Sequence, residues 1–82
     1  SVNKAEKKYD VVVANIIADV LVMIANDLKN ATKEGGILIL SGILEKHEKR
    51  VLNKFSDLEE LKIIHKNEWV TMIFKNIKGS NW

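Results

Sequence analysis

The stretch "YDVVVANII", residues 9–17, constrains the fold of this chain more than any other. Val11, Val12, Val13 and Ala14 run without polar alternation, and the run stops at a lone amide side chain, Asn15. A short unbroken apolar run of this kind predicts a strand over Asp10 to Ala14, buried on both faces as in a parallel sheet. A helical pattern begins directly behind it. Ile16, Ile17, Val20, Leu21, Ile24, Ala25 and Leu28 recur at spacings of three and four, which predicts an amphipathic helix from about Ile16 to Thr32. Asn15 therefore sits where strand becomes helix. It is placed to act as a helix N-cap, or to face a ligand, because open α/β sheets bind ligands at the carboxyl ends of their strands.

The rest of the chain continues the alternation. "KEGG" closes the first helix, with Gly35 or Gly36 supplying a left-handed stop. "ILILS", Ile37 to Ser41, is a second continuous apolar strand, ended by Gly42. A second helix is expected over about Leu44 to Phe55, with Leu44, Val51, Leu52 and Phe55 as its apolar stripe. Two strands follow, near Leu61 to His65 and Trp69 to Phe74, and the polar "KNE" between them suits a short antiparallel hairpin. In that hairpin Trp69, Thr71 and Ile73 share one face, and Val70, Met72 and Phe74 the other. The predicted order is β-α-β-α-β-β in one partial domain over residues 1–82. Residues 1–9 form a lead-in and "KNIKGSNW", from Lys75 onward, a frayed tail.

Several function classes fall away on composition. The chain has no cysteine, which removes disulfides and thiolate metal sites, and no metal-ligand spacing joins His47 to His65. A net charge of +2 on 82 residues does not argue for nucleic acid, although Lys4, Lys7 and Lys8 are placed either to touch RNA or to be a solvated run. The apolar runs are much shorter than the ~20 residues of a membrane span. With a polar N-terminus, the expected setting is the cytoplasm, with no membrane and no metal. One physical problem remains. A strand such as Val11–Ala14 at an open sheet edge would recruit other chains. Either further protein precedes Ser1, or the chain associates with itself through this edge.

Three pieces carry a family resemblance when taken together: "YDVVVANIIADVL", "EGGILILSGIL" and "NEWVTMIF". They resemble the C-terminal half of the PrmA-like ribosomal protein methyltransferases, a family of class I S-adenosylmethionine-dependent enzymes. The resemblance runs from about Tyr9 to Phe74. The family's strand end D-x-V-x-A-N-I is met here by Asp10 to Ile16. The resemblance implies an α/β fold that is the second half of a Rossmann-like class I methyltransferase, with its C-terminal antiparallel hairpin. It implies that Asn15 is catalytic, that Asn15 and Ile16 touch S-adenosylmethionine, and that Ser41, Gly42 and Trp69 line the substrate. The substrate would be lysine or α-amino groups of a large-subunit ribosomal protein.

Other duties stay open for these residues: a tight turn at Ser41 and Gly42, hairpin packing for Trp69, and helix-core packing for Ile16. Where the family often has proline before its glycine pair, this chain has Glu34. It contains no G-x-G sequence, so the family's glycine-rich cofactor loop is absent, as is the acidic residue that holds the ribose. The chain alone is accordingly expected to be inactive and to bind cofactor weakly. The alternative expectation is a non-catalytic α/β interaction module that dimerises through Val11–Asn15.

Overall fold

The two apolar runs pair side by side, and the rest of the chain is arranged around that pair. The computed structural model describes residues 7–78. Strand β1 (Tyr9–Asn15) runs parallel to β2 (Thr32–Leu44), in a register that matches Val11 with Ile37 and Asn15 with Ser41. Helices α1 (Ala18–Met23) and α2 (Ala25–Ala31) form the crossover between them. A 3-10 turn (Glu45–His47) and helix α3 (Glu48–Lys54) lead to the hairpin of β3 (Glu59–Lys66) and β4 (Trp69–Lys75). The four-stranded sheet has the order β1-β2-β4-β3, with β4 antiparallel to both of its neighbours. This is the predicted β-α-β-α-β-β order, with the first helix in two pieces.

The hairpin turns at Asn67 and Glu68, between the paired residues Lys66 and Trp69. Asn67 takes a positive φ of 58°, which asparagine tolerates better than most residues. The two faces of β4 separate as the alternation predicts. Val70, Met72 and Phe74 are buried, whereas Thr71 and Ile73 are half-buried and Trp69 is exposed. The core lies on the helical side of the sheet, where Ala14, Leu38, Leu40, Val70, Met72 and Phe74 meet Leu21, Ala25, Val51 and Phe55. The Phe55 and Phe74 rings stack with centroids 5.8 Å apart.

The structure corrects several expectations. The first helix begins at Ala18 rather than Ile16, because Ile17 is still extended (φ −62°, ψ 154°). It breaks at Ile24, whose φ of −104° and ψ of 17° leave the helical region, although Ile24 N–H still donates to Val20 O and Leu28 N–H to Ile24 O. The helix ends at Ala31 without a glycine cap, since Thr32 is already extended and bridges Tyr9. Gly35 does take φ +82°, but within β2. Burial of β1 on both faces is not found among the described residues. Val11 and Val13 are 55% and 64% exposed, because all three helices cover the opposite face. Of the expected tail, Lys75 completes β4 and Asn76 is fully buried, its Nδ2 donating to Thr32 O at 2.8 Å. Lys4 and residues 79–82 lie outside the described residues.

Two surface pairs tie α3 to its surroundings. Arg50 bonds Asp19 of α1 and holds that carboxyl below the usual range. His65 of β3 meets Glu48 at 2.8 Å, and this hydrogen bond, with the charges of Glu48 and Glu45 assisting, raises the imidazole above the ordinary histidine value of 6.5. The fold therefore favours protonated His65. The contribution is fully present below the unfolded-state value and fades as pH rises through the higher folded-state value. An NMR titration should place the His65 midpoint above that of an unstructured histidine, and Glu48→Gln should bring it back. An unshifted wild-type midpoint would mean the pair does not form in solution.

Candidate functional site

β1 and β2 end together, and their ends form a small recess. Asn15 and Ser41 are register partners, and the next amide, Ile16 N–H, donates to Ser41 O at 3.2 Å. Gly42 follows with φ +78°. Trp69, the first residue of β4, pairs with Leu44 across the same end of the sheet. Asn15, Gly42 and Trp69 together line a cavity of about 330 Å³. It lies at the carboxyl ends of the parallel strands, the general location of ligand sites in open α/β sheets.

Asn15 does not cap the helix. The N-cap is Ile17, with no side-chain bond, because the helix starts too late for the carboxamide to reach its free amides. The side chain is exposed, and among the described residues it has no hydrogen-bond partner. It therefore offers one acceptor and two donors to whatever enters the cavity. Trp69 is 52% exposed and supplies a flat apolar wall. No titratable side chain lines this cavity among the described residues. Ser41 is half-buried beside Asn15. The Ile16 side chain packs partly against the core.

The other candidates are less chemical. A cavity of about 410 Å³ between α3 and the hairpin is walled by Leu52, Phe55, Leu58 and Phe74, with Lys49 and Glu60 among its polar lining residues. It lies away from the ends of the parallel strands. His47 is half-buried on the 3-10 turn, while His65 is engaged with Glu48. Among the described residues no three His, Cys, Asp or Glu side chains gather as a metal site would require, and no helix is long and apolar enough to cross a membrane. The feature that sequence reasoning missed here is a bulge at Ser41–Gly42. Its signal was present in "LILSGIL", where the two-residue apolar step Leu38, Leu40 becomes a three-residue step to Ile43.

Known proteins resemble this chain along nearly its whole length. The model of the family described as ribosomal protein L11 methyltransferase (PrmA) matches residues 1–77. A ribosomal protein L11 methyltransferase from a Nitratiruptor species is 56% identical over 81 residues, covering 99% of this chain and 29% of the relative. One from Campylobacter lari is 59% identical over 75 residues, covering 92% and 27% respectively. The crystal structure of a ribosomal protein L11 methylase from Lactobacillus delbrueckii subsp. bulgaricus matches with a TM-score of 0.84 at 20% identity, over 94% of this chain and 41% of that one. The likeness in fold is to the second half of a Rossmann-like class I methyltransferase, C-terminal hairpin included. This chain spans less than a third of the length of these two curated relatives.

Proposed function

Since this chain belongs to the ribosomal protein L11 methyltransferase (PrmA) family, we propose that it is the acceptor-side part of an S-adenosylmethionine-dependent enzyme that methylates amino groups of a large-subunit ribosomal protein in the cytoplasm. The observation that carries this reading is the exposed Asn15 carboxamide. It stands at the end of β1, without a partner among the described residues, in one cavity with Gly42 and Trp69. These residues suit the reacting end of the cofactor: a polar group, a backbone with no side chain at Gly42, and a flat indole. Asn15 and Ile16 would hold the cofactor from this side. S-adenosylmethionine, when bound, supplies a methyl group on a positively charged sulfur.

What the chain's own residues contribute is orientation. A lysine or α-amine has a pKa of about 10 or about 8 and has no lone pair until it loses a proton. Asn15 Oδ1 accepts one N–H of the neutral amine and so directs its lone pair into the cavity, a gain in alignment rather than a covalent step. Trp69 keeps water from one side of the amine. With no titratable side chain in the lining among the described residues, the proton leaves to solvent.

The cavity has no acidic side chain among the described residues, and the sequence has no G-x-G turn for the nucleoside and methionine parts of the cofactor. The 82-residue chain should accordingly bind S-adenosylmethionine weakly and transfer no label to ribosomal protein L11, whereas the full-length gene product transfers it. Appreciable turnover by the short chain would defeat the view that it is only part of an enzyme. No transfer by the full-length protein would defeat the methyltransferase reading.

A second reading rests on the sheet edge. β1 is an edge strand among the described residues, and Val11 and Val13 are exposed on it. Such an edge pairs readily with another, which favours self-association of the short chain through Val11–Asn15. Sedimentation velocity at micromolar concentration decides the matter: a dimer supports edge pairing, and a stable monomer overturns it.

A further inference from the structure

The strand beside Asn15 is irregular where it passes that residue. Along β2, Leu40 pairs with Met72 and Ile43 with Val70, so a three-residue step on β2 faces a two-residue step on β4. That is a β-bulge, and it lies at Ser41–Gly42. It has one clear structural result: Leu40 and Ile43 are both fully buried, although strict alternation would put them on opposite faces. The bulge is built around Gly42 at φ +78°, a left-handed conformation that favours glycine.

Space imposes a second constraint on the same residue. A Cβ on Gly42 would lie 2.2 Å from Asn15 Oδ1, but 3.4 Å from Asn15 Cγ and from Ile16 N. The volume that a side chain would fill is therefore held by the carboxamide oxygen. The backbone around it would meet the same Cβ at an ordinary contact distance, so the group forced to move is the end of the Asn15 side chain. The Asn15 side chain has no hydrogen bond among the described residues to restore its direction.

We propose that Gly42 is a positioning residue: by lacking a side chain at the β2 bulge, it leaves the slot that aims the Asn15 carboxamide into the cavity shared with Trp69. The effect on turnover rests on the role proposed above for Asn15. The effect on side-chain placement does not.

The test is a double-mutant cycle in the full-length protein with Gly42→Ala, Asn15→Ala and the pair. Gly42→Asn is a second probe, because asparagine accepts a positive φ yet carries a Cβ. Gly42→Ala is expected to lower kcat by about 10- to 100-fold with KM little changed, the scale of a misplaced catalytic group. The double variant should be no slower than Asn15→Ala alone, since no carboxamide is left to displace. If the two losses multiply instead, Gly42 acts through the backbone and the proposal fails. The Asn15 side-chain NH₂ resonances give an independent readout. They should shift in Gly42→Asn, and unchanged resonances would overturn the proposal. Should Asn15→Ala keep wild-type turnover while those resonances shift, the positioning stands and the catalytic role of Asn15 falls.

Discussion

Asn15→Ala in the full-length protein is expected to lower turnover by about 10²-fold, the cost of losing alignment at the reacting amine. KM for the ribosomal protein should stay near its wild-type value, because the carboxamide is one small contact within a protein–protein encounter. Stability should be unchanged within ~0.5 kcal/mol, as for other surface substitutions that break no cap or buried bond. Asn15 is exposed, caps no helix and has no side-chain hydrogen bond among the described residues. Asn15→Asp adds information about the proton. The carboxylate still accepts an N–H, but its charge favours the ammonium form and raises the pKa of the substrate amine. Its rate should therefore recover toward wild type only at higher pH. Initial rates across pH test both variants. Full activity in Asn15→Ala would remove the carboxamide from the mechanism and leave the cavity without a chemical group.

How much of this site could be read from the sequence depends on the distance over which each residue is determined. Val11–Ala14 and Ile37–Leu40 announced a parallel pair because unbroken apolar runs are a local signal, and Asn15 marked the strand end for the same reason. The hairpin and its two faces were equally local, written in "KNE" and the alternation from Trp69 to Phe74. The meeting of Asn15, Gly42 and Trp69 was not local. It needs the register Asn15 with Ser41, the bulge on β2 and the pairing of Leu44 with Trp69, and no single segment encodes these. The family resemblance named these residues without their geometry. The pairing of His65 with Glu48 is likewise not local, since the fold brings the two together from 17 positions apart. The late start of the first helix is a boundary effect. Ile16 and Ile17 fit the helical period, but Ile16 N–H is bonded to Ser41 O, so tertiary pairing holds the chain extended past the point where the pattern turns helical.

Lys29 is the residue whose sequence misleads most, and replacing it should have a large effect on stability. It follows the apolar stripe of the first helix, where a lysine would be expected to reach solvent, yet it is 3% exposed. Its Nζ donates to Lys54 O at 2.9 Å, pairs with Asp57 Oδ1 at 2.9 Å, and lies 5.3 Å from the centre of the Phe55 ring. One cation thus joins α2 to the C-terminal end of α3. Lys29→Ala removes the packed stem and the bonds together, for an expected loss of about 3 kcal/mol, within the range for truncating a long buried side chain to alanine. A domain of this size has ~4–12 kcal/mol in total, so the loss is a large share. It should lower Tm by about 12–24 °C in a thermal melt of the 82-residue chain. Asp57→Ala should cost less, about 1–2 kcal/mol, because the Asp57 side chain is 39% exposed and solvent screens the pair. Lys29→Met keeps most of the volume without a buried charge, and replacing a buried ion pair by packed apolar groups is often neutral. The melts should therefore rank Lys29→Ala below Asp57→Ala, with Lys29→Met nearest wild type. If Lys29→Ala melts with the wild type, Lys29 is solvated and α2 is not held to α3 through it. If Lys29→Met is as unstable as Lys29→Ala, the bonds to Lys54 and Asp57 matter more than the filled space.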